Sequence, residues 1–243
     1  MGRQVVRKRP ILIAAGAILV LLILGLAAAY AYYFTGTRTS AKPLALASPS
    51  QVASASPSAG AASALAGTWT VGSGSIAGYR VSEQFAGQTS SHEAEARTST
   101  VTGGLFVAGA DASAINVEVD LSSLHSVDQV LGFNVSNRDR IVNQTLSVQQ
   151  FPKAIFKADA ITLPAGLASG EQVTASVPGQ LTIHGVTRQV TASIKAQQSG
   201  SIVQVLGIID TKMTDFGVTP PHLSITVVQP QVTIEFQLNF SRG

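Results

Sequence analysis

Residues 179–190 read Gly-Gln-Leu-Thr-Ile-His-Gly-Val-Thr-Arg-Gln-Val, and their pattern decides the fold. Leu181 and Ile183 alternate with Gln180, Thr182 and His184, the two-residue period of a strand with one buried face. Gly185 supplies the backbone freedom for a tight reversal, and Val186, Val190 and Ile194 restart an alternating strand. The stretch predicts an antiparallel hairpin.

The chain around it continues in the same style. Strand patterns run over approximately 68–72, 79–85, 97–107, 114–121, 154–161, 174–184, 186–195, 203–212 and 232–240. Gly103-Gly104, Ala110-Asp111, Pro164-Ala165-Gly166 and Gln198-Ser199-Gly200 read as interruptions. In the last strand Val232, Ile234, Phe236, Leu238 and Phe240 share one face, and Thr233, Glu235, Gln237 and Asn239 share the other. Short strands at fairly regular spacing predict an all-β domain over residues 67–243, and pattern alone leaves barrel and sandwich open. Between Ser122 and Gln150, the spacing of Val127, Val130, Leu131 and Val135 predicts one short helix or an irregular cap.

The N-terminal quarter has a different composition. Ile11 to Phe34 is a run of 24 uncharged, mostly apolar residues. As a helix it would extend about 36 Å, enough to span a bilayer. Arg3, Arg7, Lys8 and Arg9 precede it, so residues 1–10 are expected in the cytoplasm and the β domain outside. Ala27-Ala28-Ala29 and Ala29-Tyr30-Ala31 also fit signal-peptide cleavage, but the apolar run exceeds the usual core of about 7–15 residues. Residues 35–66, rich in Ala, Ser and Pro, read as a flexible linker with an average span of about 30 Å.

Charge and composition exclude several functions. Six of the sixteen Lys and Arg residues and none of the acids precede residue 67, leaving ten bases against thirteen acids in the β domain. A net charge of −3 without a basic stripe argues against nucleic acid as a partner. The absence of cysteine removes disulfides, thiolate catalysis, zinc–cysteine sites and lipid acylation of a cysteine.

Catalytic and cofactor motifs are missing as well. Gly72-Ser73-Gly74-Ser75 lacks phosphate-loop spacing, and neither Gly-x-Ser-x-Gly nor Ser-x-x-Lys occurs. His92, His125, His184 and His222 fall in separate segments without metal-ligand spacing, and His184 reads as a turn former. The acids read as solvated groups on the polar faces of strands. Arg138-Asp139-Arg140 is the densest charge cluster. Either Asp139 pairs with a neighbouring arginine or caps the helix, or an arginine meets an anionic head group at a cavity mouth.

Four ordered segments carry a resemblance. They are Trp69-Thr70-Val71 with Tyr79-Arg80-Val81, Arg138-Asp139 with Phe151-Pro152-Lys153-Ala154-Ile155-Phe156, the hairpin 179–190, and Asp215-Phe216-Gly217 with the final strand. Together they resemble the YceI-like family, lipocalin-like barrels that bind polyisoprenoid lipids. The chain departs from the family's pattern at Val71–Ser75, where an Asp-x-x-His-Ser run is usual. It departs again at Leu146 and Val148, where paired aromatics are usual. The resemblance implies an extended antiparallel barrel around a long apolar tunnel and does not imply catalysis. With the strand pattern and the 122–150 segment, the expectation is a lipocalin-like barrel of about eight strands with a short helical cap, without catalysis or cofactor.

By strand alternation the tunnel-facing residues would be Val81, Leu105, Val117, Val119, Phe156, Leu181, Ile183, Ile194, Phe236 and Leu238. Arg138 and Arg140 are the head-group candidates. The expectation is a membrane-anchored, extracytoplasmic barrel that binds or shuttles an isoprenoid lipid of polyprenyl phosphate or quinone type, compatible with a homodimer. The competing readings are a structural or stress-linked surface domain without a lipid, and an enzyme acting on a lipid.

Overall fold

The computed structural model describes residues 20–28, 38–46, 65–86, 91–130, 135–223 and 226–243. Its strands are β1 (Arg38–Thr39), β2 (Gly67–Val71), β3 (Ile76–Phe85), β4 (Ser91–Thr98) and β5 (Val101–Ala108). Next come β6 (Asp111–Asp120), β7 (His125–Ser126), β8 (Gln129–Val130), β9 (Lys153–Ala158) and β10 (Ile161–Thr162). The last are β11 (Val173–Ile183), β12 (Val186–Ser199), β13 (Ile202–Lys212), β14 (His222–Leu223) and β15 (Thr226–Arg242). The α-helix Ser136–Thr145 forms the cap.

Eight strands close a barrel in the order β2-β5-β6-β9-β11-β12-β13-β15, with β15 pairing back to β2. Every pairing is antiparallel, so the sheet has no open edge along this circuit. β15 is 17 residues long and overshoots the barrel. From Thr226 to Gln237 it pairs with β3, which carries β4 and then β7 as a flap beside the barrel wall. The cap helix lies against β7 and beside this flap.

The opening hairpin forms as its pattern requires. β11 and β12 pair from Val173↔Ala196 to Ile183↔Val186, leaving a two-residue turn. His184 and Gly185 both adopt left-handed backbone, φ 53° and 73°, the requirement of the tight turn that matches strand twist. His184 tolerates it because its ring is held: Nδ1 lies 3.4 Å from the Phe216 carbonyl oxygen and Nε2 lies 3.3 Å from Ser147 Oγ. Phe151 packs edge-on against the imidazole at 5.2 Å. The hairpin turn thus ties the segment after the cap helix to the short 3₁₀ turn Met213–Phe216.

Three expectations need correction. Gly103-Gly104 is not a turn but the middle of β5, at a bulge opposite Asn116. A Cβ on Gly103 would sit 2.1 Å from the Asn116 carbonyl oxygen, and one on Gly104 would sit 2.4 Å from that of Trp69, so backbone approaches too closely for any side chain. The strand Ser91–Thr98 was hidden by its composition. Its inward residues include Ala94 and Ala96, which are too small to register as a hydrophobic period. The helix begins at Ser136, beyond the valines whose spacing suggested it; Gln129–Val130 is extended and pairs with β1.

Residues 20–28 are helical, and the large apolar side chains among them lie exposed. The remainder of the expected span 11–34 lies outside the described residues, among which no helix is long and apolar enough to cross a membrane. Within the stretch read as linker, residues 38–46 are attached to β8 and to Arg80 and Arg97 of the flap, and Leu65 enters the core, where its carbonyl accepts the Trp69 indole N–H at 2.7 Å.

Candidate functional site

The barrel interior is hollow. A cavity of about 480 Å³ runs inside the wall, within the range of small-molecule sites. All ten residues expected to face a tunnel line it: Val81, Leu105, Val117, Val119, Phe156, Leu181, Ile183, Ile194, Phe236 and Leu238. Their alternation along β3, β5, β6, β9, β11, β12 and β15 is the cause, because closing the sheet sends every second side chain inward.

Two glycines seat the largest of these side chains. A Cβ on Gly179 would meet the Phe156 ring at 2.6 Å, and one on Gly207 would meet the Phe236 ring at 2.3 Å. Both rings therefore lie back against bare backbone on the neighbouring strand, which leaves the lumen open. Phe151 does the same at the turn, packing against the site a Gly185 side chain would take. The two phenylalanines of the Phe151–Phe156 segment thus bracket the 179–190 hairpin, and this contact gives the spacing of both motifs a shared physical reason.

One part of the lining is polar. The cap helix presents Asn137, Arg138, Ile141, Val142 and Thr145 to the cavity, the face that helical spacing brings together. Across from it, β3 contributes Tyr79 and Glu83. Arg138 donates from Nη2 to Glu83 Oε1 at 2.6 Å and from Nη1 to Asp128 Oδ1 at 2.6 Å. Asp128, fully buried, also bonds His92 Nε2 at 2.7 Å and accepts the Glu95 backbone N–H at 3.2 Å. Next to Arg138, Asp139 accepts from Ser126 N at 2.9 Å and from Ser126 Oγ at 2.6 Å. The Arg138-Asp139 pair is a clasp that fastens the cap helix to β3 and β7.

The electrostatics follow from burial. Burial would raise the Asp128 pKa, but hydrogen bonds from His92, Arg138 and the Glu95 amide outweigh it and bring the carboxyl down to about 2. For Glu83 burial wins: its pKa is raised despite the opposing charge of Arg138. Burial also pushes the Tyr79 phenol well above the ordinary tyrosine range, partly offset by Arg138 and reinforced by Asp139, Asp128 and Glu83.

Glu83, His92 and Asp128 offer ligand atoms within 4.8 Å of one another. The Arg138 guanidinium already bonds both carboxylates, so the geometry is that of an ion-paired clasp built around an internal cation.

The placement of the charged residues differs from expectation. Arg138 reaches the cavity but is committed to two carboxylates, whereas Arg140 is exposed and absent from the lining. Asp139 bonds Ser126 and pairs with neither arginine. The acids are not all solvated, since Glu83, Glu95, Asp128 and Glu235 are buried with arginine partners. His92 is buried among them. No local spacing could have identified this group, because its members come from β3, β4, β15, the β7–β8 connection and the cap helix.

Comparison with known proteins agrees with this architecture. A UPF0312 protein of Pseudomonas syringae pv. tomato is 29% identical over 133 residues, covering 51% of this chain and 62% of that protein. The match therefore spans less than two thirds of the relative's length. Among solved structures, a polyisoprenoid binding domain from Saccharophagus degradans, implicated in plant cell wall breakdown, superposes with a TM-score of 0.54. It is 16% identical, with 72% of this chain and 98% of that one covered. Burkholderia cenocepacia BcnA gives a TM-score of 0.49 at 20% identity, covering 67% of this chain and 95% of that one. The model of the YceI-like domain matches residues 69–240, so the chain belongs to the YceI-like family.

Proposed function

We propose that this protein is a membrane-anchored, extracytoplasmic barrel that binds an isoprenoid lipid and exchanges it with the bilayer, without catalysis. The observation that carries the reading is the hollow, almost wholly apolar lumen, whose two charged lining residues, Glu83 and Arg138, meet at the cap. The domain from Saccharophagus degradans, named as polyisoprenoid binding, supports it. Anchoring is supported by the apolar run Ile11–Phe34 and the basic residues before it.

Each methylene removed from water is worth about 0.8 kcal/mol. A prenyl tail would therefore enter such a lumen readily from water. Its actual alternative is a bilayer equally apolar, so tail burial nearly cancels and the head group decides the balance. At the polar station one guanidinium faces two carboxylates, Glu83 and Asp128. A phosphate would have to displace a carboxylate while meeting the charge of the other. A neutral carbonyl or hydroxyl needs neither, and the Tyr79 phenol and Asn137 amide on the lining offer donors. This favours a quinone or prenol head over a polyprenyl phosphate.

Organic extraction of the full chain purified from its own membranes, followed by mass spectrometry, tests the reading. The expected product is a prenyl-tailed lipid with a neutral head. Recovery of a prenyl phosphate would overturn the head-group assignment, and repeated recovery of no lipid would overturn the function.

A further inference from the structure

Residues 38–46 run as a strap over the outside of the flap, and their path has a direction. Arg38 pairs with Val130 and Thr39 with Gln129, directly after Asp128, whose carboxylate bonds His92 near the tip, the end where β3 and β4 are joined. The Ala41 carbonyl then accepts from Arg80 Nη2 at 3.4 Å, and the Lys42 carbonyl from Arg97 Nη2 at 2.8 Å. Arg80 and Arg97 sit progressively farther from that tip, opposite Thr233 and beside Gly78.

The strap is seated on an ionic cluster of Arg80 and Arg97 with Glu95 and Glu235, and Glu93 at its exposed edge. Glu235 accepts Arg80 Nε and Arg97 Nε, each at 2.7 Å, and Glu95 pairs with Arg80. Both carboxylates are buried on the outer face of the sheet, where an uncovered strand would leave them wet. Each guanidinium directs its Nη2 at one strap carbonyl, so the strap is recognised through backbone and its course is fixed by β3 and β4.

The chain consequently enters the barrel at the tip end of β3 and β4. Four residue steps separate Phe34, the end of the expected span, from Arg38, a reach of at most about 14 Å. The same end exposes Leu223 and Val227, 42% and 37% accessible, on adjacent strands β14 and β15. The cap helix and its polar station also lie at this end, through Arg138 and Glu83.

We infer that the β3–β4 tip end is the barrel's bilayer-facing surface, held there by residues 38–46 acting as a docked strap, so that lipid reaches the cavity from the cap side. The inference rests on the membrane-anchored reading given above. It replaces a tether of 32 residues, 35–66, by a link of a few residues, and gives the barrel one orientation.

The absence of native cysteine makes the test direct. Full-length Leu223→Cys and Ile202→Cys proteins, each carrying one fluorophore, are reconstituted in phosphatidylcholine vesicles containing a lipid with a spin label at its head group. Ile202 is a matched control, 39% accessible and paired with Ser241 at the far end of β15, about 50 Å of strand from Thr226. The label at 223 should be quenched at least threefold more than that at 202. Replacing residues 38–46 by a Gly/Ser segment of equal length should bring the ratio toward one, with Trp69 emission reporting that the barrel remains folded. Equal or inverted quenching in protein that floats with the vesicles would overturn the inference, as would a ratio unaffected by the replacement. Failure to float with the vesicles at all would overturn the anchored reading beneath it.

Discussion

Replacing Arg138 by methionine keeps most of the side chain's length and removes its charge, leaving Glu83 and Asp128 facing each other without a cation. Asp128 is fully buried and Glu83 nearly so, so neither carboxylate can recover its hydration in place. Breaking a buried, hydrogen-bonded ion pair in this way costs about 3–5 kcal/mol, a large part of the roughly 5–15 kcal/mol that holds a domain together. For a domain of this size each kcal/mol moves Tm by about 2–4 °C, so the expected fall is about 6–20 °C.

The pH dependence gives a sharper test than the size of the loss. The Glu83 pKa is already raised in the folded protein, and without Arg138 it rises further. A carboxyl with a raised folded pKa weakens the fold as pH climbs through that value, and the penalty disappears once the group is protonated. Asp128 loses one of the donors that depress its pKa, so it too surrenders less on acidification. The deficit of Arg138→Met should therefore be largest near pH 7 and shrink toward pH 4–5, measured by calorimetry on wild type and variant across that range. A Tm change under about 2 °C, or a loss independent of pH, would refute the clasp.

Other consequences are as specific. In Gly207→Ala the new methyl would displace the Phe236 ring into the lumen, so the fold should survive with a cost of about 1–3 kcal/mol while the recovered lipid falls severalfold. In the wild type, the Asp128 pKa of about 2 predicts that about 2 kcal/mol of stability, present above pH 4, is lost as pH falls toward 2. Acid titration followed by circular dichroism, with Asp128→Asn lacking that component, checks it. At the alkaline end the Tyr79 phenol should ionise only with unfolding, seen as phenolate absorbance that coincides with loss of circular dichroism.

The hairpin at 179–190 was legible because both period and turn are local properties. The cavity lining was legible for the same reason, since a strict two-residue alternation in β11, β12 and β15 fixes which side chains share a face once the sheet closes. The strand Ser91–Thr98 escaped because alanines on its inner face carry little hydrophobic contrast. The charged groups escaped for a different reason. Whether Glu83, Glu95 or Glu235 is solvated depends on what covers it, and the covers are the cap helix and the 38–46 strap, distant in sequence. Arg138 was singled out as a cation, but its two partners lie 10 and 55 residues away and change what it can bind.

Photo-crosslinking inside vesicles bears on lipid binding at the level of single residues. Full-length protein would be exposed to a prenyl quinone carrying one diazirine on its tail or one beside its head. Tail labels are expected on Leu105, Ile183, Ile194 and Phe236, and head labels on Tyr79, Asn137 or Arg138 at the cap. Labels confined to residues 11–34 or to the outer faces of the strands, with none on the lining, would contradict lipid binding by the barrel.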